Sequence, residues 1–235
     1  MRRRLAVLTL ALALLSLAPA VAFACTTCQC GTIPATTNEG LQEGEPGSVF
    51  GRVDWVHQSV SAGEAGVDRV QATEHRLAFA LAAIVRPRWT LGISVPLVHR
   101  EIELATQERQ RANGLGDISL ASDVLLLTRQ TTRLSLLVGL RVPTAPEQSA
   151  DGQVLHLDAQ PGTGAFVPSA GLEYTGVIGL IRPSARVEAY LPIGGRFEVT
   201  PATALLWSAG SSFLVHSKLS VRVAADGRTE GKDEY

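Results

Sequence analysis

Beyond its first 24 residues, the chain has no apolar run long enough to cross a membrane as a helix. The longest continuous run, from Leu77 to Val85, is about half of the roughly 18 residues that such a helix needs. Because backbone polar groups inside a bilayer must all be paired, the other structure that can span it is a β-barrel. The sequence therefore predicts that any crossing of a bilayer by this chain uses strands.

An excess of positive charge is also missing. Removal of Arg2, Arg3 and Arg4 with the N-terminal segment leaves 18 basic residues against 22 acidic ones, a formal charge of −4. Nucleic-acid-binding chains usually carry a clustered basic excess. We therefore expect no nucleic-acid partner.

Catalytic motifs are absent as well. The chain has five histidines, which are His57, His75, His99, His156 and His216. Their spacing is not that of metal ligands, and no G-x-S-x-G nucleophile motif accompanies them. Each is more typical of a rim or loop residue than of a catalyst. The sequence predicts a protein that is not an enzyme and that needs no cofactor.

Residues 1–24 have the features of a secretory signal. A basic head precedes an apolar stretch from Leu5 to Val21, and Ala22-Phe23-Ala24 forms an A-x-A cleavage site. Cys25 follows the cut directly, but a lipidated cysteine usually has Leu three residues before it, where this chain has Ala22. Plain cleavage is therefore favoured over lipidation, and the chain is predicted to be exported.

The three cysteines, Cys25, Cys28 and Cys30, all lie at the start of a leader over residues 25–47. Their odd number leaves at least one thiol without an intrachain partner. The cluster lacks the His of a haem-attachment motif and the fourth ligand of a closed zinc site, so it indicates a metal site only weakly. The alternative is a partly oxidised N-terminal tail.

Alternation of apolar with polar or small residues is the feature that the chain does have. It is clearest in two runs, from Ile118 to Leu127 and from Leu134 to Val142, which a short polar link joins. A period of two residues is typical of a strand with two different faces, so the two runs predict a hairpin. The segment from Asn113 to Asp117 opens the first run.

Similar runs predict about nine strands over residues 48–235, arranged as an antiparallel meander. The eighth and ninth extend from Phe197 to Trp207 and from Phe213 to Val223, and residues 224–235 are predicted to begin an external loop. Pro96, in the third, indicates a bulge or the end of regular pairing. The links alternate between long and short, with Gly194-Gly195 as an exception, and this alternation is typical of an outer-membrane barrel.

Charged and small side chains fall on the face opposite the apolar one. Those predicted to line a lumen are Arg52, Asp54, Asp117, Ser119, Asp123, Arg141, Glu173, Arg186 and Glu188. Arg196, Glu198, Lys218 and Arg222 are assigned to the same face. A soluble sandwich would also place a charged face in water, so this pattern favours a barrel only together with the signal and the loop alternation.

Two placements follow from this arrangement. Asp117 and Arg141 have the same parity across the predicted hairpin, so they are expected to lie opposite each other or one diagonal step apart. Trp89 directly follows the basic turn Arg86-Pro87-Arg88. Because indole prefers the headgroup zone, Trp89 is predicted to mark a membrane interface.

Three features resemble an outer-membrane transporter family that is associated with phenol-degradation pathways and related in architecture to the long-chain fatty-acid transporters. They are the Gly114-Leu115-Gly116-Asp117 segment that opens a strand, the Val142-Pro143-Thr144 end of the next strand, and the Cys-rich N-terminus. The resemblance runs from about Cys25 to the end. It implies a barrel in the bacterial outer membrane that carries hydrophobic or small organic solutes.

The resemblance also implies partners and a length. The partners would be outer-membrane lipid, the outer-membrane assembly machinery and a small organic solute. Related chains continue with several more strands, so the expected structure is an incomplete β-barrel with open edges at its first and ninth strands.

Two functional hypotheses stay open. The first is a barrel transporter or channel for small hydrophobic or aromatic organic solutes. The second is an exported binding or structural β-protein that does not conduct. A heat-dependent shift in gel mobility would support the first, and recovery in the soluble periplasmic fraction would support the second.

Overall fold

The structure, a computed structural model, describes residues 45–62, 70–104, 108–150, 152–216 and 219–231. The predicted signal, most of the leader, and Cys25, Cys28 and Cys30 lie outside these residues. The described residues are nearly all in antiparallel strands, apart from the loops between them. No helix among them is long and apolar enough to cross a membrane.

Twelve strands and one 3₁₀ turn are present in the described part of the chain. The strands are β1 (Val49–Ala62), β2 (Val70–Arg86), β3 (Trp89–Glu103), β4 (Arg109–Leu115), β5 (Ile118–Arg129), β6 (Thr132–Val142), β7 (Ser149–Ala150), β8 (Gln153–Val154), β9 (Val167–Gly176), β10 (Ile181–Tyr190), β11 (Ala204–His216) and β12 (Leu219–Glu230). The 3₁₀ turn, Leu157–Ala159, lies between β8 and β9.

Nine of these strands form one open, curled sheet in the order β1-β2-β3-β5-β6-β9-β10-β11-β12. The order follows the chain, so the sheet is a meander. β4 pairs with β3 beside this path, and β7 pairs with β8 in a separate small ribbon. The predicted antiparallel meander is confirmed, and the open curl is consistent with an incomplete barrel.

The pairing gives the sheet two chemically different faces. Because directly paired residues of antiparallel strands share a face, the pairs Leu81–Ile93, Ile93–Leu120 and Leu120–Leu140 make one continuous apolar row. We call the apolar side the outer face and the side with the charged residues the inner face. The period-two pattern of the sequence therefore sets both faces.

The links between the nine strands also sort into two classes. Four are short, at residues 87–88, 130–131, 177–180 and 217–218, and four are long, at residues 63–69, 104–117, 143–166 and 191–203. Since successive strands run in opposite directions, all short links lie at one rim and all long links at the other. We call these the short-turn rim and the long-loop rim. Gly194-Gly195 belongs to a long link, so it is no exception.

The predicted eighth and ninth strands were wrong in their limits. Phe197 and Glu198 have φ of 56° and 64°, left-handed values that end any strand, and β11 begins only at Ala204. Residues 191–203 are therefore a loop, and Arg196 and Glu198 do not lie on the inner face of a strand. Lys218 lies outside the described residues.

Residues 224–230, predicted to be loop, belong to β12. The predicted ninth strand from Phe213 to Val223 joined the end of β11 to the start of β12, and residues 217–218 between them lie outside the described residues. Asp226, Arg228 and Glu230 alternate on one face, which is the inner face because Leu206 pairs with Arg228. The polarity of this segment resembled that of a loop, but on an inner face it is compatible with a strand.

Pro96 marks a change of partner within β3, as predicted. β3 pairs with β5 over residues 89–94 and with β4 over residues 97–103. The Pro96 carbonyl accepts from Gly116 N, 2.9 Å away, in the gap between β4 and β5. A proline has no N–H to donate on that side, so it fits where the regular ladder is interrupted.

Candidate functional site

Burial in this sheet is the reverse of that in a soluble protein. On the inner face, Glu74, Arg100 and Asp117 are only 3%, 2% and 1% exposed, whereas Trp55 and Leu81 on the outer face are 67% and 57% exposed. Large apolar side chains are normally interior and charged ones exterior. The inner face is therefore the polar interior of the curled sheet, and the outer face is an extended apolar exterior.

The residues predicted to line a lumen share the inner face. Ser119 pairs with Arg141, Glu173 pairs with Arg186, and Glu188 lies two residues farther along β10. Arg52 and Asp54 on β1 form a separate pair with 2.8 Å between Nε and Oδ2. Asp117 lies just before β5, and Asp123 is buried within it. That this face borders a lumen stays a prediction.

Three charged inner-face residues near the long-loop rim escaped the sequence analysis, which began the second strand too late, at Leu77, and ended the third too early, at Leu97. Glu74 binds Arg76 through Oε1 and Arg100 through Oε2, where Arg100 Nε donates at 2.8 Å. All three residues are buried. The alternation of Ala72, Glu74 and Arg76 with outward residues continues that of the apolar run after it, and this signal could have extended the strand.

The long link over residues 143–166, which we call the inner loop, covers part of the inner face. Its backbone is held by Asp117: Ala145 N donates to Oδ1 at 3.1 Å and Thr163 N donates to Oδ2 at 2.9 Å. Arg141 pairs with Ser119, two residues after Asp117, so Asp117 lies one diagonal step from Arg141, as predicted. Its two carboxylate oxygens, however, fasten the two ends of the inner loop.

The two motifs that carry the family resemblance contact each other here. The Thr144 hydroxyl accepts from Ile118 N at 2.9 Å and donates to the Gly116 carbonyl at 3.2 Å. A Cβ on Gly116 would lie 3.0 Å from both Pro96 and Val98. Gly116 therefore permits the close passage of β3, and Thr144 ties the start of the inner loop to the start of β5.

Arginines fasten the middle of the inner loop. Arg100, besides binding Glu74, donates to the carbonyls of Asp158 and Gln160 at 3.1 and 2.8 Å. Arg196, from the link over residues 191–203, donates to the Ala145 carbonyl. The loop is thus bound to the sheet on one side and to a second long link on the other.

The inner loop also has its own packing. The fully buried Gln160 side chain donates from Nε2 to the carbonyls of Gln148 and Leu155, both at 3.0 Å. Leu155 and Ala159 pack with Ala72, Ile102 and Ala112 of the sheet in a small apolar cluster. These contacts make the loop an ordered insert against the inner face.

A cleft lies beside the inner loop, between it and the strands β6, β9, β10, β11 and β12. It is small, with a volume of about 30 Å³, and is open on one side. Its lining residues are Arg141, Thr163, Val167, Tyr190, Pro192, Pro201, Ala202, Ala204, Leu206 and Arg228. The lining is mostly apolar, with two guanidinium groups and two hydroxyls.

A second charged group lies across β9 and β10. Glu188 accepts from Ser169 Oγ at 2.8 Å and binds Arg186. Glu173, which faces Arg186 across the strand pair, is 8% exposed, and its Oε2 has no hydrogen-bond partner. Sequence reasoning found these residues because each lies within a strand with clear alternation.

The outer face carries a row of histidines that the sequence analysis missed. His57 pairs with His75, and His75 pairs with His99, so the three lie side by side on β1, β2 and β3. The ring centroids are 4.5 Å apart for the first pair and 5.9 Å for the second, and Trp55 stacks 6.2 Å from His57. Their separation along the chain does not indicate that they are neighbours, because only the strand register brings them side by side.

These histidines do not make a metal centre. Among the described residues, no group of three or more His, Cys, Asp or Glu side chains is arranged to hold a metal ion. The cysteine cluster lies outside the described residues, so its metal hypothesis stays a prediction.

Trp89 lies at the short-turn rim, on the first residue of β3. It points outward, is 37% exposed, and donates from Nε1 to Ser122 Oγ at 2.7 Å. Its position at a rim agrees with an interfacial role, which stays a prediction.

Comparisons of the chain with protein-family models and with curated proteins give no match.

Proposed function

We propose that this chain is an exported outer-membrane β-protein whose strands cross the bilayer and whose inner face borders a path for small organic solutes. The observation that carries the proposal is the reversed burial of the two faces. An apolar exterior of this extent is unfavourable in water, whereas contact with lipid acyl chains removes that cost. The polar inner face does not carry this cost in water. A path for solutes across a membrane needs a polar lining of this kind.

The height of the apolar exterior supports the proposal. On β3 the outward residues from Trp89 to Leu97 are all apolar, and the segment is nine residues long. On β2 the apolar segment from Leu77 to Val85 is also nine residues long. A transmembrane strand needs roughly 9–11 residues.

Both ends of this apolar belt have residues suited to an interface. Trp89 ends it at the short-turn rim, and the histidine row with Trp55 ends it toward the long-loop rim. Beyond the histidines, the next outward pair is Glu101 and Arg111, which form a salt bridge of 3.1 Å. The outer face thus passes from apolar, through aromatic and imidazole side chains, to charged ones, as across a bilayer boundary.

The inner loop makes the proposed path narrow and selective. Its backbone is bound by Asp117 and Arg100, and it lies against charged side chains rather than in open solvent. Larger barrels are commonly narrowed or plugged by such inserted segments. Solutes would pass between the loop and the strands β9 to β12, where the cleft is found.

One observation favours the second candidate, an exported β-protein that binds a ligand or has a structural role and does not conduct. The inner loop is packed so closely that Ala159 and Gln160 are fully buried. A loop that never moves would close the path and leave only a binding cleft.

Fractionation followed by liposome swelling tests the proposal. The chain, expressed with its own N-terminal segment, should appear in the outer-membrane fraction and change its gel mobility on heating. In liposomes it should admit small organic solutes and exclude larger ones. Heat-modifiable protein without solute flux would favour the non-conducting candidate, and recovery in the soluble periplasmic fraction would contradict the membrane location.

A further inference from the structure

We propose that the cleft beside Arg141 binds the anionic group of a small organic acid. This deepens the proposed function, on which it rests for the path by which a solute reaches the cleft.

Arg141 is buried and unpaired. It is 9% exposed, it lines the cleft, and its guanidinium makes no hydrogen bond or ion pair within the described part of the chain. Arg76 and Arg100, the other two buried arginines there, both bind Glu74. A buried cation without a counter-ion is costly, so this site favours an incoming anion.

No acidic side chain described close to the cleft forms an ion pair with Arg141. Asp117, one diagonal step away, accepts from the backbone of the inner loop with both oxygens. Glu188 is held by Ser169 and Arg186, and Glu230 is bound by Arg228. Each of these acids has hydrogen-bond or ion-pair partners of its own, and none of them binds the Arg141 guanidinium, which lines the cleft.

The other walls of the cleft indicate the rest of the ligand. Val167, Leu206 and the prolines 192 and 201 present apolar surface, and Ala202 and Ala204 leave room beside them. A planar guanidinium matches a carboxylate through two parallel hydrogen bonds. The expected ligand is therefore a carboxylate with a small apolar body.

Benzoate and its neutral amide, benzamide, are suitable probes because they share a body and differ in charge. Affinities are measured by NMR titration of the folded full chain in detergent. The wild type should bind benzoate at least about tenfold more tightly than benzamide, since the charged group adds charge-assisted hydrogen bonds. Equal affinity for the two probes would overturn the inference.

Variants locate the site. Arg141→Gln should lose the preference for benzoate and keep the weak binding of benzamide. Arg182→Gln is the matched control, because Arg182 is an exposed arginine eight residues from Tyr190 along β10, and it should bind as the wild type does. Retention of the full preference by Arg141→Gln would contradict the assignment.

A second variant serves if Arg141→Gln does not fold. Leu206→Glu places a carboxylate in the cleft that competes for Arg141, so it should weaken benzoate binding, and unchanged binding would overturn the inference. Solute flux in liposomes without a preference for benzoate would contradict this inference and leave the proposed function standing. A preference for benzoate without solute flux would support this inference and contradict the proposed solute path.

Discussion

At the scale of single residues, Asp117 has the clearest structural role. It was predicted from the sequence as a charged inner-face residue, and it lies there, 1% exposed. Its partners could not be predicted, because Ala145 and Thr163 are 28 and 46 residues away along the chain. One-dimensional alternation shows which face a side chain occupies but not which loop lies over that face.

Asp117→Asn should loosen the inner loop. The amide keeps one acceptor and turns an NH₂ group toward a backbone N–H, so one buried donor loses its partner at a cost of roughly 1–3 kcal/mol. The expected result is lower stability to urea and faster proteolysis within residues 143–166. Asp226→Asn, the same change at an exposed position, is the control. Unchanged protection of the loop in Asp117→Asn would contradict this role.

Gly162 gives a steric test of the same contact. A Cβ at this position would lie 2.4 Å from both Ala145 Cβ and Asp117 Oδ1. Gly162→Ala should therefore displace the loop and cost roughly 1–3 kcal/mol in unfolding free energy. Gly51→Ala, where the nearest atom is 3.6 Å away, should be close to neutral. Equal unfolding free energies for the two variants would show that the loop does not pack as described.

At the scale of elements, the existence of a strand could be predicted where the alternation was strong. The residues at which the strands begin and end could not. β5, β6, β9 and β10 agree closely with the runs in the sequence. The predicted eighth and ninth strands were misjudged because residues 197–199 alternate like a strand although Phe197 and Glu198 have left-handed backbone, and because the polar β12 resembles a loop. Side-chain pattern alone does not report backbone conformation or cross-strand pairing.

The histidine row shows the same limit between elements. His57, His75 and His99 are 18 and 24 residues apart in sequence, and only the registers of β1 with β2 and of β2 with β3 bring them side by side. Register depends on turn geometry as well as on the apolar pattern. The turn at residues 87–88 alone would pair His75 with Arg100, and the irregularity between Ile84 and Arg86 shifts the register by one residue to His99.

The β2–β3 hairpin carries a prediction about depth. In a protein reconstituted with Trp55→Phe and Trp207→Phe, Trp89 is the remaining tryptophan of the three. Quenchers attached at different depths of the lipid should be most effective near the headgroups, because Trp89 ends the apolar belt at the short-turn rim. Strongest quenching at the bilayer centre, or quenching by water-soluble reagents alone, would contradict the interfacial position.

At the scale of the whole molecule, the two-faced strands by themselves did not choose between a barrel and a soluble sandwich, and the predicted barrel depended also on the signal and the loop alternation. Both would give two-faced antiparallel strands, and the choice depends on which face is enclosed. The curl of the sheet encloses the charged face and leaves the apolar face outside. Curvature and the inward fold of the inner loop arise from long-range contacts, such as those of Asp117 and Arg100, that alternation does not encode.

Spin labels scanned along residues 118–124 of β5 test the central claim most directly, that the outer face meets lipid and the inner face is enclosed. Each position is replaced by cysteine in a background without Cys25, Cys28 and Cys30, labelled, and reconstituted in vesicles. Labels at 118, 120, 122 and 124 should collide mainly with oxygen, which concentrates in lipid, and labels at 119, 121 and 123, where the native side chains are buried on the inner face, should collide with oxygen much less often. The opposite phase, or no alternation, would contradict the account.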